Sequence, residues 1–404
     1  MSTSFLYHGF GIVGYDYVRT QYDGGNIIFT IRHKRQKLRC PVCRGRKVMM
    51  RGTTRRRFKT VPIGSKVVLF DLEVQRIGCL RCGSVRQASL GFADPRFSYT
   101  HAFERYALDL SRCMTIQDVA RHLSVSWDVI KEIQKRDLTR RFSKPCLKDL
   151  RMIAIDEISV RKGHQYLTIV LDMISGAVIF VGNGKGSDAL DPFWKKVKRA
   201  KAKIEAVAMD MSPAYISAVS FHLPKAAIVF DHFHVIKLFN DRLSELRRDL
   251  YHEATDHLQK KVLKGTRWLL LKNPENLDSA TGERERLNDA LQLNQPLSCA
   301  YYLKEDLRQI WLQPNKEKAK LVLADWIKRA ENSGIKMLIK FAKTLASFQS
   351  GILSYYDYRI SSAPLEGTNN KIKTMKRMAY GFRDIEFFKL KIMAIHETKY
   401  ALVG

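Results

Sequence analysis

The chain has 404 residues, 45% of them hydrophobic, with 70 Lys and Arg against 40 Asp and Glu, a formal charge of +30. That length and apolar content exclude a mainly disordered chain and leave room for two or three domains. The charge points to a polyanionic partner, nucleic acid before an anionic membrane. No segment has the apolar length of a spanning helix, and the start Met1-Ser-Thr-Ser-Phe-Leu lacks a signal pattern.

Residues 1–95 alternate short β-type runs, such as Asn26-Ile-Ile-Phe-Thr-Ile-Arg and Lys66-Val-Val-Leu-Phe-Asp-Leu-Glu-Val, with Gly-rich turns. They hold eighteen Lys/Arg against five Asp/Glu, so much of the excess charge lies here. Seven cysteines, four of them in two close pairs, fit a reducing compartment with a metal site better than a disulfide framework. Cys40-Pro-Val-Cys43 and Cys79-Leu-Arg-Cys82 have the spacing of one tetrahedral zinc whose closed four-thiolate shell holds the fold and does no chemistry. The basic residues around them, Arg55, Arg56 and Arg57 among them, form a candidate phosphate-contacting surface; a solvated basic face is the alternative.

Residues 96–145 turn helical in period. Ile116-Gln-Asp-Val-Ala-Arg-His-Leu-Ser-Val-Ser-Trp-Asp-Val-Ile130 places apolar residues at 116, 119, 120, 123, 125, 129 and 130, with small Ala120 at a close helix crossing and Ser124 at the tight turn. This spacing predicts a helix-turn-helix. Its second helix would present Lys131, Lys135 and Arg136 to DNA phosphates or base edges.

After the break Ser143-Lys-Pro-Cys, residues 146–404 form the third domain. Three strands are predicted between Arg151 and Gly182, another over Ile204 to Met209 and another over Ala226 to Phe230. Asp172 reads as a residue of the hairpin turn before Ile174-Ser-Gly-Ala. Asp156 and Asp210 each end an apolar run, and Glu366 opens a polar helix; carboxylates on strand ends can share divalent cations, although each taken alone also fits a turn or cap residue. Glu157 is a rival acid whose side chain should leave the opposite sheet face. On the helix of Glu366, Lys373, Lys376 and Arg377 could clamp phosphates. From about 235 to 350 the chain is helical and charged, a large helical insertion whose Trp268, Trp311 and Trp326 read as core residues.

The order of these features, with Ile155-Asp-Glu, Met209-Asp-Met-Ser-Pro-Ala-Tyr, Phe230-Asp-His-Phe-His and Arg359-Ile-Ser-Ser-Ala-Pro-Leu-Glu-Gly-Thr-Asn-Asn-Lys, resembles the ISL-three family of bacterial insertion-sequence transposases. The resemblance implies an α/β multidomain chain: an amino-terminal zinc-binding β-rich domain, a helix-turn-helix domain and an RNase H-like catalytic domain interrupted by the insertion. Asp156, Asp210 and Glu366 would be its DDE triad, holding two magnesium or manganese ions. The implied partners are double-stranded DNA, both the element's terminal inverted repeats and the target, and further copies in a homodimer or larger synaptic complex. The implied location is the bacterial cytoplasm, at the nucleoid. An RNase H-like structure-specific nuclease, or a DNA-binding regulator without catalysis, remains as the alternative. Asp231, His232 and His234 match the family signature without an evident role.

Overall fold

The computed structural model describes residues 5–161 and 165–400; residues 1–4, part of the start that lacks a signal pattern, lie outside them. The chain divides into two compact units, residues 1–141 and 142–404.

In the first unit, strands β1 (Tyr15–Asp23), β2 (Asn26–His33), β3 (Val48–Ile63), β4 (Lys66–Cys79) and β5 (Val85–Gln87) form one sheet in the order β1-β2-β4-β3, with β5 on the end of β4. Alternation on β4 sends Val68, Phe70, Leu72 and Val74 inward, where they meet Phe29, Ile31, Phe58 and Phe92. Three helices follow: α1 (His101–Leu110), α2 (Ile116–His122) and α3 (Trp127–Phe142). Thr100 and Thr115 cap α1 and α2 by accepting the N–H of Phe103 and Asp118. All seven apolar positions expected from the period enter one core with Phe103 and Ile133. Ser124 takes the turn at φ +52°, a left-handed conformation normally left to glycine.

The boundary expected at 95 falls inside this unit. Lys59 of β3 bridges to Tyr99, the Thr100 hydroxyl donates to that of Thr60 at 3.1 Å, and Lys59 Nζ reaches the Ser124 carbonyl at 2.6 Å. The sheet therefore holds both the first helix cap and the tight turn between α2 and α3.

In the second unit, β6 (Met152–Arg161), β7 (Gln165–Asp172), β8 (Val178–Asn183), β9 (Ala206–Met209) and β10 (Ala227–Phe230) form a sheet in the order β10-β9-β6-β7-β8. β6, β7 and β8 are an antiparallel meander, whereas β9 runs parallel to β6 and β10 parallel to β9. The parallel steps need crossovers, supplied by α4 (Asp191–Ala200) and α5 (Pro213–His222). Asp172 does close the β7–β8 turn: its carboxylate accepts the N–H groups of Ile174 and Ser175, both at 3.1 Å, and the Ser175 hydroxyl.

Helices then run from α6 (His232–Glu253) to a last short turn at Tyr355–Tyr358, including α7 (Gln295–Gln309), α8 (Lys316–Glu331) and α9 (Lys336–Ser347). This helical stretch lies in the same compact unit as the sheet and shares its apolar core. Trp326 is fully buried against Phe239 of α6 and Phe341 of α9, and its indole N–H donates to the Leu303 carbonyl at 2.7 Å. Trp311 is also buried. Trp268 corrects the expectation: it is 66% exposed, with the Arg267 guanidinium over its ring, because its neighbours Leu269 and Leu270 take the inward face of that short helix. Trp326→Ala should lose about 3–5 kcal/mol of stability, since a large cavity and an orphaned carbonyl are both left behind; a denaturant midpoint unchanged from wild type would contradict this packing.

Beyond the insertion, α10 (Ala363–Met378) packs on β6 and α11 (Ile385–Met393) on β8. Among the described residues no helix is long and apolar enough to cross a membrane.

Candidate active site and DNA interface

The parallel register places the two aspartates. Ala154 on β6 pairs with Ala208 on β9, the last pair of that register; Asp156 follows inside β6, not at its end as the apolar run suggested, and Asp210 comes just past the end of β9, near enough for its charge to act on Asp156. Asp156 is well oriented. One of its oxygens accepts the Glu157 N–H at 2.8 Å and the other accepts the side-chain amide of Asn369 at 2.7 Å. Burial raises its pKa above the usual carboxylate range, and the charge of Asp210 adds to this, while His234 opposes it. Asp210 accepts the N–H of Ser212, the residue before α5, at 3.0 Å.

Glu157 is raised as well, by burial first and then by Asp210; its partner is Tyr215 of α5, whereas that of Asp156 lies on α10. The two neighbouring acids thus address different helices, as alternation demands. Glu366 lies exposed in the first turn of α10, three residues before Asn369 and seven before exposed Lys373. Lys376 is half-buried and Arg377 exposed on the same helix. Among the described residues, the only group of three or more ligand types whose donor atoms all lie within 4.8 Å of one another is formed by four cysteines, so Glu366 does not close on the aspartates to that distance. The pair of hard oxygen donors, half-buried Asp156 on β6 and Asp210 just past β9, with Asp156 raised partly by its neighbour's charge, nevertheless suits a divalent cation.

That cysteine group is Cys40, Cys43, Cys79 and Cys82. Cys40 Sγ lies 3.6 Å from Cys82 Sγ, and Cys43 Sγ 3.5 Å from Cys79 Sγ. A zinc tetrahedron with bonds near 2.3 Å has edges of about 3.8 Å, so the four sulfurs already form its cage. The two turns are built alike. Arg44 and Gly83, each the fourth residue after the first cysteine of a pair, are left-handed at φ +56° and +69° and donate to the carbonyls of Cys40 and Cys79 at 2.9 and 3.0 Å. The Cys43 backbone N–H and the Ser84 hydroxyl pull the Cys40 thiol down to about 6, while at Cys43 the Gly45 N–H is outweighed by the neighbouring thiols, which push it up to about 11, so by themselves the four sulfurs carry the charge unevenly.

On the basic surface the structure redistributes roles. Arg55 forks onto Asp71, a carboxylate 2% exposed whose pKa it lowers, and Arg57 lies 3.9 Å from the same acid; both arginines stay more than half exposed. Arg56 turns instead to the Pro95 and Phe97 carbonyls at 2.7 and 2.9 Å and covers the Phe58 ring. Arg136, expected at the groove, is engaged within the protein: it pairs with Glu104 at 2.8 Å, reaches Tyr99 and Asp94, and stacks on Phe97. Its register on α3 turns it toward α1, where acids await it, so it fastens the helices. Lys131 stays beside the half-exposed Trp127 ring, 5.6 Å from its centroid, and Lys135 is half-buried on the same helix.

The family comparisons meet this geometry along the chain. A family model described as "Transposase", of the ISL3 type, matches residues 153–392, from β6 to α11, and a model of the helix-turn-helix domain of transposase family ISL3 matches residues 88–137. The chain belongs to this family. It is a DNA transposase, with a DNA-binding helix-turn-helix and a catalytic domain whose family uses divalent metal. The transposase for insertion sequence element IS1001 of Bordetella parapertussis is 33% identical to it over 358 residues, 88% of each chain. The transposase for IS1557 of Mycobacterium tuberculosis is 27% identical over 390 residues, 89% of this chain and 86% of the relative. Sequence reasoning missed Asn369 as a partner of Asp156. Its place one helical turn after Glu366 was the available signal.

Proposed function

We propose that the transposase binds the terminal inverted repeats of its insertion sequence through residues 1–145, a zinc-ribbon-like domain to 95 and the helix-turn-helix after it. Residues 146–404 then cut and join DNA strands with Asp156, Asp210 and Glu366. The observation that carries this reading is that Asp156 feels the charge of Asp210 while Asn369, on the helix of Glu366, donates to its carboxylate. An antiparallel three-strand meander extended by two parallel strands supports an RNase H-like catalytic fold.

The three carboxylates would hold two magnesium or manganese ions, which supply an activated water and stabilise the leaving 3′ oxygen of a phosphodiester. The chain's own part is orientation and charge. The Glu157 N–H and Asn369 fix the Asp156 carboxylate, and Lys373, Lys376 and Arg377 extend positive charge from Glu366 along α10 toward the phosphates on either side. Arg55, Arg57, Lys131 and Lys135 would contact the end DNA, with one zinc on Cys40, Cys43, Cys79 and Cys82 holding the sheet end. A freed 3′-hydroxyl can stand where water stood, so one site serves both cutting and joining. Coupled cutting of two ends calls for a homodimer or larger synaptic complex, working at the nucleoid in the bacterial cytoplasm.

The test is joining. Given magnesium, a precut element end and a supercoiled plasmid, the transposase should yield covalent end–plasmid products. Cleavage of uncut ends without any joined product would make it a nuclease instead.

A further inference from the structure

The signature Phe230-Asp-His-Phe-His contributes no acid to the proposed triad, yet it contains a carboxylate only 3% exposed, Asp231. Asp231 follows β10, and its N–H points to the carbonyl of Met209, the residue before Asp210, at 3.4 Å. One side-chain oxygen accepts the Phe233 N–H at 2.9 Å and so caps α6, the first helix of the insertion. The other accepts both the N–H of Ser362, at 2.7 Å, and its hydroxyl. Ser362 is 4% exposed and immediately precedes α10; its own carbonyl receives the N–H groups of Leu365 and Glu366 at 2.8 and 2.9 Å. A buried carboxylate is costly without donors. Here it has them from both ends of the insertion.

We propose that Asp231 is a positioning residue: by clasping Ser362 it fixes where the insertion hands the chain back to the helix that carries Glu366. The proposal rests on the reading of Glu366 as the third acid. Few other side chains fit the place. The cap of α6 and the two donors of Ser362 need an acceptor with two oxygens, which Asn or Ser lacks. Although burial opposes it, the hydrogen bonds from His232, Ser362 and Phe233 hold the Asp231 carboxyl well below the usual range, so the clasp stays ionised at neutral pH. The clasp and the Asn369–Asp156 bond then act on successive turns of one helix, the first setting its start and the second its approach to β6.

The test uses the full-length protein and two readouts: amide hydrogen exchange along residues 363–372 without DNA, and the manganese concentration for half-maximal cleavage. Ser362→Ala, which deletes only the hydroxyl donor, should speed exchange in the first two turns of α10 at least tenfold and raise the half-saturating manganese at least fivefold, with end-DNA affinity unchanged. Ser362→Thr should restore both. Asp231→Asn should act in the same direction and more strongly; should it fail to fold, Ser362→Ala decides alone. Unchanged exchange and manganese dependence in Ser362→Ala would overturn the clasp. Full cleavage by Glu366→Gln would overturn the reading of Glu366 instead, and hydrogen exchange in Ser362→Ala would still decide for or against the clasp.

Discussion

Asp156→Asn should lower magnesium-dependent cleavage of end DNA by roughly three orders of magnitude or more while leaving end binding within a factor of about two. The substitution keeps the shape: the oxygen that accepts the Glu157 N–H can remain, and a flip of the Asn369 amide lets its oxygen accept from the new amide in place of the hydrogen bond it now donates. What disappears is the negative charge that acts together with that of Asp210. Stability should not fall with activity, and the sign follows from the pKa. Asp156 is raised in the folded state, chiefly by burial, so its ionised form costs stability above the unfolded pKa, and a neutral amide removes that cost at pH 7. A cleavage assay paired with thermal unfolding separates the outcomes. Retained cleavage would end the assignment of Asp156, and lost cleavage with a collapsed melting curve would indicate only a folding defect.

The second large effect is expected at the cysteines. Leu38, Ile77 and Ala88 form a small separate cluster at the sheet end, with Val48 packed against it, far fewer residues than the aromatic core centred on Phe70. Such a cluster is too small to order the two cysteine turns by itself, so a zinc ion should supply what packing does not. Purified protein should carry one zinc per chain. Its removal by chelator, or Cys40→Ser with Cys79→Ser, should disorder the segments around 38–48 and 79–88 and weaken end binding about a hundredfold, while the helices keep their circular dichroism. Metal analysis and a binding titration check both parts. Zinc-free protein that binds ends normally would refute the structural role.

Several parts of this arrangement were legible because they depend on neighbours in the chain. Each of the seven apolar positions read from 116–130 entered the helix-turn-helix core, and Ser124 was found at the turn because a two-helix corner needs one residue free of either helix. Asp172 reads as a turn residue from the Ser-Gly that follows it, and it makes its turn bonds within three residues. The surroundings of Arg136 and Trp268 were not legible, for one shared reason. Periodicity tells which face of a helix is apolar, not what another element lays against its polar face, and only packing brings Glu104 to Arg136 or leaves Trp268 without cover.

The sequence by itself determined the family, the cysteine cage, the helix pair and Asp210 at a strand end, because spacing within a short segment sets which side chains share a turn, a face or an edge, whereas Asp156 proved to lie inside β6, which continues to Arg161. Tertiary structure decided how the third acid's helix returns. Asn369 meets Asp156 across 213 residues and Ser362 meets Asp231 across 131, contacts that no local period encodes, since they depend on how the intervening helices close on the sheet core.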